Sequence, residues 1–253
     1  MMKFLKDNLL VKIYPNRGDM GLEAAKLAAE RLSELLQQQE EVNIIFAAAA
    51  SQNEFLEALT EEAGLDWARV NAFHMDEYMG LAVSHPQRFG HFLNRKIFSR
   101  LPFKQVYYLN PDGNDSEAEC ARYSALLEQM PPDLCFMGIG ENTHLAFNDP
   151  HVARFDDPVL VKIIDLDEPC KRQQVNDGCF ATVAEVPAYA YTLTIPALLQ
   201  AKYIFCMVPG QNKAKAVQHT LQEEISARYP STALRNHAHA ILFLDQDSAS
   251  LIL

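Results

Sequence analysis

The chain has 253 residues, of which 49% are hydrophobic and 22% charged, a composition typical of a globular protein without disordered or fibrous segments. Lysine and arginine total 22 against 33 aspartates and glutamates, so the formal net charge is -11. Such an acidic chain repels nucleic acid and anionic membrane surfaces, so we expect neither as a partner. Any small anionic ligand must be held by a few local donors.

Length and cysteine usage indicate one domain in a reducing compartment. A chain of this length can bury a large core, and we predict a single domain over residues 1–253. The five cysteines are scattered, odd in number and without metal-ligand spacing, which favours a cytoplasmic location. No apolar run is long enough to cross a bilayer, and the first residues lack the apolar segment of a secretory signal.

Short apolar runs rich in β-branched residues alternate with longer segments of helical period. This alternation predicts an α/β protein: a three-layer Rossmann-like fold with a mostly parallel central sheet covered by helices on both faces. The predicted strands are 10–14, 42–48, 69–75, 105–109, 134–140, 159–165, 190–195, 203–208 and 240–244. The predicted helices are 19–39, 52–63, 86–100, 115–129, 168–176 and 211–222.

The end of the second predicted strand carries small residues, Ala47 to Ala50, followed by Ser51. Ser51 with Glu54 three residues later has the pattern of a capping box, and a helix start offers free N–H groups and a positive dipole end to an anion. Four alanines also let a strand pack tightly under a helix, and a capping box needs no ligand. Both interpretations remain open on these residues alone.

The third predicted strand runs into "FHMDEYMG", residues 73–80, with two adjacent carboxylates. One of Asp76 and Glu77 could face a cleft as a general acid or base while neighbours hold the other, and burial would raise its pKa. The alternative is that Asp76 caps a helix and Glu77 is solvated. His74 lies within the strand, which favours a packed, hydrogen-bonded histidine of the core.

The segment "GIGENTHLAFNDP", residues 138–150, follows another buried strand. Its glycines permit a sharp turn, and histidine suits proton transfer near neutral pH. Asp149 or Glu141 could orient His144, although a structural loop histidine fits the same pattern. There is no HExxH motif, and the histidines at 237 and 239 have no second cluster, so we predict no metal site.

Together and in this order, "MDEY" at 75–78 and "GIGENTHLAFNDP" at 138–150 resemble the glucosamine-6-phosphate deaminase/isomerase family, which shares its fold with 6-phosphogluconolactonases. The segments "GQNKAKAV" at 210–217 and "AYTLTIPALL" at 190–199 are also similar to family segments. The resemblance extends over nearly the whole chain.

The resemblance implies a role for each matching residue. Asp76 is the base that moves a proton between C2 and C1 of the opened sugar, and His144 opens the pyranose ring with help from Asp149. Asn142 falls where many members have aspartate. The phosphate is bound by Lys213 and by the helix start at Ala49, Ala50 and Ser51. Such enolisation needs a positioned base and a proton relay but no cofactor or metal.

Three departures from the family pattern concern the neighbourhood of these residues. The family's phosphate loops read TGGTP or TGSTP, whereas this one reads "AAAASQ". Thr143 replaces a glycine and is strained if that position has a positive φ. The family's second phosphate-contacting residue is an arginine in an "ANSRFF"-like segment; here the text is "KRQQVNDGCF", with Arg172 or Lys171 as the candidate cation.

The implied activity is the isomerisation and deamination of an amino-sugar phosphate, of gluco or galacto configuration, to a ketose phosphate and ammonia. One alternative is a 6-phosphogluconolactonase that uses His144 to activate water, although the retained "MDEY" argues against it. Another is a non-catalytic phosphosugar sensor, suggested by the altered loop. Enzymes of this type are commonly oligomeric, so the resemblance also implies a homo-oligomer.

Overall fold

A computed structural model describes residues 2–110, 115–176 and 178–253 of the chain. Its strands are β1 (Met2–Lys6), β2 (Leu9–Tyr14), β3 (Val42–Phe46), β4 (Val70–His74), β5 (Asp76–Tyr78), β6 (Gln105–Tyr107), β7 (Leu134–Met137), β8 (Val161–Asp165), β9 (Tyr189–Leu193), β10 (Tyr203–Val208) and β11 (Ala240–Asp245). Its α-helices are α1 (Arg17–Gln38), α2 (Asn53–Glu61), α3 (Phe89–Leu93), α4 (Ser116–Gln129), α5 (Glu168–Asn176), α6 (Ile195–Leu199) and α7 (Ala214–Gln222).

The strands form two sheets. The larger has eight strands in the order β1-β2-β11-β10-β7-β3-β4-β6, and its neighbours are parallel except for β1, which pairs antiparallel with β2. The smaller is antiparallel, in the order β5-β9-β8. The carboxyl ends of the parallel strands therefore meet at one edge, which is where α/β proteins bind ligands.

Each face of the large sheet is covered by helices because successive side chains of a strand point to opposite faces. On β3, Ile44 and Phe46 belong to the apolar cluster that includes buried residues of α1 and α2. Ile45 belongs to the opposite cluster, with residues of α4, α6 and α7. The predicted three-layer α/β class is confirmed; the single-domain assignment stays a prediction.

Every predicted strand is present, but two of them, expected in the central sheet, lie in the small one. These are the segments predicted at 159–165 and 190–195, which form β8 and β9. They lie in the small sheet because β9 pairs with β8 on one side and with the "MDEY" segment, an unpredicted strand, on the other. The helix predicted at 86–100 is shorter: α3 is followed by a π-helical turn, Asn94–Phe98. Among the described residues, no helix has the length and apolar character that a membrane span requires.

Helices α1 and α2 approach each other closely at Gly21. A Cβ atom at Gly21 would lie 2.7 Å from the Cβ of Glu54 and 2.9 Å from the backbone nitrogen of Phe55. No side chain fits there without moving backbone. This contact places the first turn of α1 against the beginning of α2, directly after the loop that follows β3.

We predict that Gly21→Ala destabilises the protein by about 1–3 kcal/mol, because an extra methyl group in a closed helix contact forces the backbones apart. Urea unfolding monitored by circular dichroism measures the change. The matched control is Gly18→Ala on the same helix, where the new Cβ would meet only the side-chain oxygen of Asn16, at 3.2 Å. Equal stability of the two variants would contradict the close contact.

Candidate active site

A cavity opens at the carboxyl edge of the large sheet, and four loops line it. These loops contribute the lining residues Ala47–Ser51 after β3, Met75 and Asp76 after β4, Gly138–Gly140 with His144 after β7, and Pro209, Asn212 and Lys213 after β10; other elements complete the lining. These loops are far apart in sequence and adjacent in space because their strands are parallel neighbours.

The cavity brings together most of the residues that the sequence predicted. Asp76, His144 and Lys213 line it, as do the loop residues Ala49, Ala50 and Ser51. Asn142 and Asp149 lie outside the lining and contact each other and His144. Arg172 does not line the cavity; it lies exposed on α5.

Asp76 is the buried carboxylate of the cavity. The residue is 8% exposed, and burial together with the neighbouring charge of Glu77 raises the pKa of Asp76 well above its usual value. A carboxylate with a raised pKa is a stronger base once it is ionised.

Glu77, the second carboxylate, has a structural role. Its oxygens accept hydrogen bonds from the backbone N–H groups of Tyr78 at 2.9 Å and of Phe89 and Gly90 at 3.0 Å, at the start of α3. The alternative in which Asp76 caps a helix and Glu77 is solvated is therefore wrong. Of the two adjacent acids, only Asp76 lines the cavity.

His74 is a histidine of the core, as predicted. Its Nε2 accepts a hydrogen bond from the backbone N–H of Leu109 at 2.9 Å, so Nδ1 carries the proton and donates to the backbone oxygen of Asp76 at 2.8 Å. Burial lowers the pKa of His74 to about 4, which keeps the ring neutral. The ring thereby fixes the backbone at Asp76.

His144 is held by a hydrogen-bonded chain behind the cavity. Its Nδ1 lies 2.9 Å from Oδ1 of Asp149, and the same oxygen accepts a hydrogen bond from the side-chain amide of Asn142 at 2.7 Å. Since Asp149 accepts, Nδ1 is the protonated nitrogen and Nε2 is left as the acceptor. An aspartate at 142 would place a second negative charge against Asp149, whereas Asn142 donates.

Burial alone would raise the pKa of Asp149, but the charge and hydrogen bond of His144 and the amide of Asn142 outweigh it, so the pKa is lowered. Asp149 is therefore a fixed anion that orients the histidine, in contrast to Asp76. The two buried acids of the site are tuned in opposite directions.

The turn before His144 is tight and strained. The N–H of Gly140 donates to the backbone oxygen of His144, and that of Thr143 donates to the oxygen of Gly140, both at 3.0 Å. A Cβ at Gly140 would lie 2.2 Å from the imidazole ring, so the ring packs directly on this glycine. Thr143 has φ +73°, and its buried hydroxyl has no hydrogen-bond partner among the described residues. The strain anticipated for a β-branched residue there is present.

The loop after β3 is anchored without a capping box, so that prediction is wrong. A 3-10 turn, Ala50–Gln52, precedes α2, and no side chain caps either element. The buried amide of Gln52 donates instead to the backbone oxygen of Met137 at 3.1 Å, which ties the loop to β7. Gly138 permits this approach, because a Cβ there would lie 3.0 Å from the Ser51 hydroxyl.

Four residues of the cavity lining with polar amide or guanidinium side chains were missed from sequence: Arg17, Gln173, Gln174 and Asn212. The oxygen of Gln174 accepts from the buried Tyr78 hydroxyl at 2.6 Å, which fixes the orientation of its amide. The oxygen of Gln173 accepts from the backbone N–H of Glu141 at 3.0 Å. The "QQ" dipeptide inside the divergent segment was the available signal for the two glutamines; Arg17 had none.

One group of described residues has the composition of a metal site. Ligand atoms of His144, Asp149 and Cys170 lie within 4.8 Å of one another. Nδ1 of His144 and Oδ1 of Asp149 already bond to each other, so an ion there would have to break the contact that orients the histidine.

Comparison with known proteins places the chain in a family. A family model described as glucosamine-6-phosphate isomerases/6-phosphogluconolactonase matches residues 15–243. The chain is 34% identical over 212 residues to the glucosamine-6-phosphate deaminase of Listeria welshimeri, covering 84% of this chain and 88% of that protein. It is 34% identical over 231 residues to that of Streptococcus sanguinis, covering 91% and 95%.

Solved structures agree. A monomeric glucosamine-6-phosphate deaminase superimposes with a TM-score of 0.87 and 25% identity over 95% of this chain and 99% of that one. The 6-phosphogluconolactonase of Thermotoga maritima has a TM-score of 0.75 at 19% identity, over 94% and 99%, a likeness of fold.

The opposite tuning of the two acids predicts opposite effects on stability. Asp76→Asn should raise the melting temperature by a few degrees at neutral pH, because a folded-state pKa above the unfolded one means that stability is lost as the pH rises through the folded value. Asp149→Asn should lower the melting temperature, because a lowered pKa gives stability that is lost only as the pH falls.

Melting curves from about pH 2 to pH 8 measure both effects. The difference for Asp76→Asn should shrink as the pH falls below the raised pKa of Asp76, whereas the difference for Asp149→Asn should persist until the pH falls below the usual aspartate value. If the melting temperatures of both variants shift in the same direction at neutral pH, the assignment of Asp76 as a destabilised carboxylate and of Asp149 as a stabilised one is refuted.

Proposed function

The chain belongs to the glucosamine-6-phosphate isomerase/6-phosphogluconolactonase family, and we propose that it converts glucosamine-6-phosphate, or a close analogue, to a ketose phosphate and ammonia. Relatives at 34% identity over most of the chain support deamination and isomerisation of this substrate. The observation that carries the proposal is the buried carboxylate of Asp76 in one cavity with His144.

Ring opening is the task of His144. With Nδ1 protonated toward Asp149, Nε2 can accept the proton of the anomeric hydroxyl and return a proton to the ring oxygen as the C1–O5 bond breaks. The product is an open-chain aldehyde. Asp149 stabilises the imidazolium that forms in between, because its own pKa is lowered by this contact.

Asp76 then acts on carbon. It removes the proton from C2, next to the aldehyde, and O1 takes up a proton to give an enol that carries the amino group. Asp76 then returns its proton to C1 as the nitrogen loses one, so that C1 becomes an alcohol carbon and C2 an imine; the proton gained by O1 balances the one lost by the nitrogen. Water adds to the imine carbon and ammonia leaves, giving the ketone. The sum is one amino-sugar phosphate and one water converted to one ketose phosphate and one ammonia, a sequence that a base and a proton relay can carry out.

The phosphate lies at the other end of the cavity in this proposal, between the Ala49–Ser51 segment and Lys213. Backbone N–H groups of the turn at Ala50 and the ammonium of Lys213 supply donors. Lys213 is 8% exposed in a turn that begins at Gly210, whose N–H donates to both carboxylate oxygens of Asp245 at 3.0 Å.

We further propose a cytoplasmic location, supported by five free cysteines, of which Cys135, Cys170 and Cys206 are buried. The homo-oligomer implied by the resemblance stays a prediction. The similar structure with a TM-score of 0.87 is described as a monomeric enzyme.

The direct test is ammonia release from glucosamine-6-phosphate and its galacto epimer, measured by a coupled assay. We expect turnover by the wild type and a loss of about 100-fold or more in Asp76→Asn, since the general base is removed. Turnover of 6-phosphogluconolactone without ammonia release from either amino sugar would indicate lactonase activity. Binding without turnover of any of these compounds would indicate a sensor.

His144→Gln separates ring opening from binding. We expect turnover of the closed-ring substrate to fall by about 100-fold or more, because proton transfer to and from the ring is lost. Binding of an open-chain analogue, measured by calorimetry, should change far less. Losses of equal size in the two measurements would contradict the ring-opening role.

A further inference from the structure

Arg17 is the unassigned cation of the cavity. It begins α1, lines the cavity together with the Ala47–Ser51 loop, and lies outside the segments that resemble the family motifs. Arg172, the arginine that the sequence suggested as second phosphate ligand, lies exposed on α5 and outside the lining. The arginine that lines the cavity is therefore Arg17 of α1, and Arg172 of α5 does not contribute to the lining.

The side chain of Arg17 is 46% exposed and is held by three contacts, two to Glu54 of α2 and one to the Ala47–Ser51 loop. Its Nε and Nη2 lie 2.7 Å and 2.8 Å from the two carboxylate oxygens of Glu54, and Nη2 donates to the backbone oxygen of Ala50 at 3.1 Å. The contact with Ala50 is within the loop itself. Among the described residues, none accepts a hydrogen bond from Nη1, which leaves that nitrogen to bind a ligand.

The charge of a bound sugar phosphate also requires a second cation in the cavity. Lys213 and Arg17 are its lining lysine and arginine, and Asp76 is its lining carboxylate. A sugar phosphate carries a charge of about −1.5 to −2 at neutral pH, and the chain as a whole is at -11. A guanidinium, with planar donors that match phosphate oxygens, suits this task.

We propose that Arg17 binds the substrate phosphate together with Lys213, and that Glu54 positions it. This inference rests on the proposed function for the identity of the ligand. Glu54 binds one edge of the guanidinium, through Nε and Nη2, and Nη1 lies outside this contact. The close contact of α1 with α2 at Gly21 brings the two residues within reach of each other.

The test uses inorganic phosphate as probe, in calorimetric titrations of the full chain, together with the KM and kcat of ammonia release. Arg17→Ala should weaken phosphate binding about tenfold or more, the effect of losing a charge-assisted hydrogen bond. It should raise KM for the sugar phosphate with a much smaller change in kcat, because the phosphate is remote from C1 and C2. Arg17→Lys, which keeps the charge and loses the fork, should lie in between.

Two arginines provide matched controls. Arg31 is on the same helix and pairs with Glu34 at 2.6 Å, away from the cavity, so Arg31→Ala should bind phosphate as the wild type does. Arg172→Ala tests the rival assignment. Unchanged phosphate affinity in Arg17→Ala, or a loss confined to Arg172→Ala, overturns the proposal.

Glu54→Gln keeps the proposal testable if both Arg17 variants fail to fold. This variant retains a hydrogen bond to the guanidinium but removes the negative charge of the Glu54 carboxylate, so phosphate affinity should change. The control is Glu57→Gln, on the same helix and paired with Arg100, which should leave phosphate affinity unchanged. Unchanged affinity in Glu54→Gln would then count against the proposal. Phosphate binding that depends on Arg17 in a chain that releases no ammonia would refute the proposed function and leave this site standing.

Discussion

The structure depends on one constraint: Asp76 must keep a buried carboxylate that still faces a cavity. Burial raises its pKa, so the fold has to hold an unfavourable charge in place. It does so with backbone. The strand of "MDEY" pairs with β9 in a second sheet, and His74 donates to the backbone oxygen of Asp76. Glu77 is occupied by three N–H groups and does not compete for the cavity.

On the other side of the cavity, the surrounding residues fix the orientation of the His144 ring. Asp149 is a stabilised anion that receives Nδ1 of His144 and the amide of Asn142, and Gly140 leaves room for the ring. The cost lies in the turn itself, where Thr143 adopts a positive φ with its hydroxyl unpaired among the described atoms. Backbone strain next to a reacting group is a common feature of active sites.

Periodicity and two motifs predicted the class, most of the strands and several of the residues that meet at the cavity, because the carboxyl ends of parallel strands lie at the same edge of a sheet. Partners of strands were not predictable: β8 and β9 have ordinary strand patterns, and only the packed chain shows that they pair beside "MDEY". The approach of Arg17 was equally hidden, since it depends on a helix contact at Gly21. Arg172 was a candidate from a segment that departs from the family pattern, and it lies exposed on α5, outside the cavity lining.

The central claim is that Asp76 removes a proton from C2, and an isotope label tests it most directly. Glucosamine-6-phosphate carrying deuterium at C2 is turned over in ordinary water, and NMR locates the label in the product. The account predicts that the wild type releases ammonia and moves the deuterium from C2 to C1 or to the solvent, whereas in Asp76→Asn the deuterium stays on C2 of the substrate. Deuterium that leaves C2 as fast in Asp76→Asn as in the wild type would contradict it.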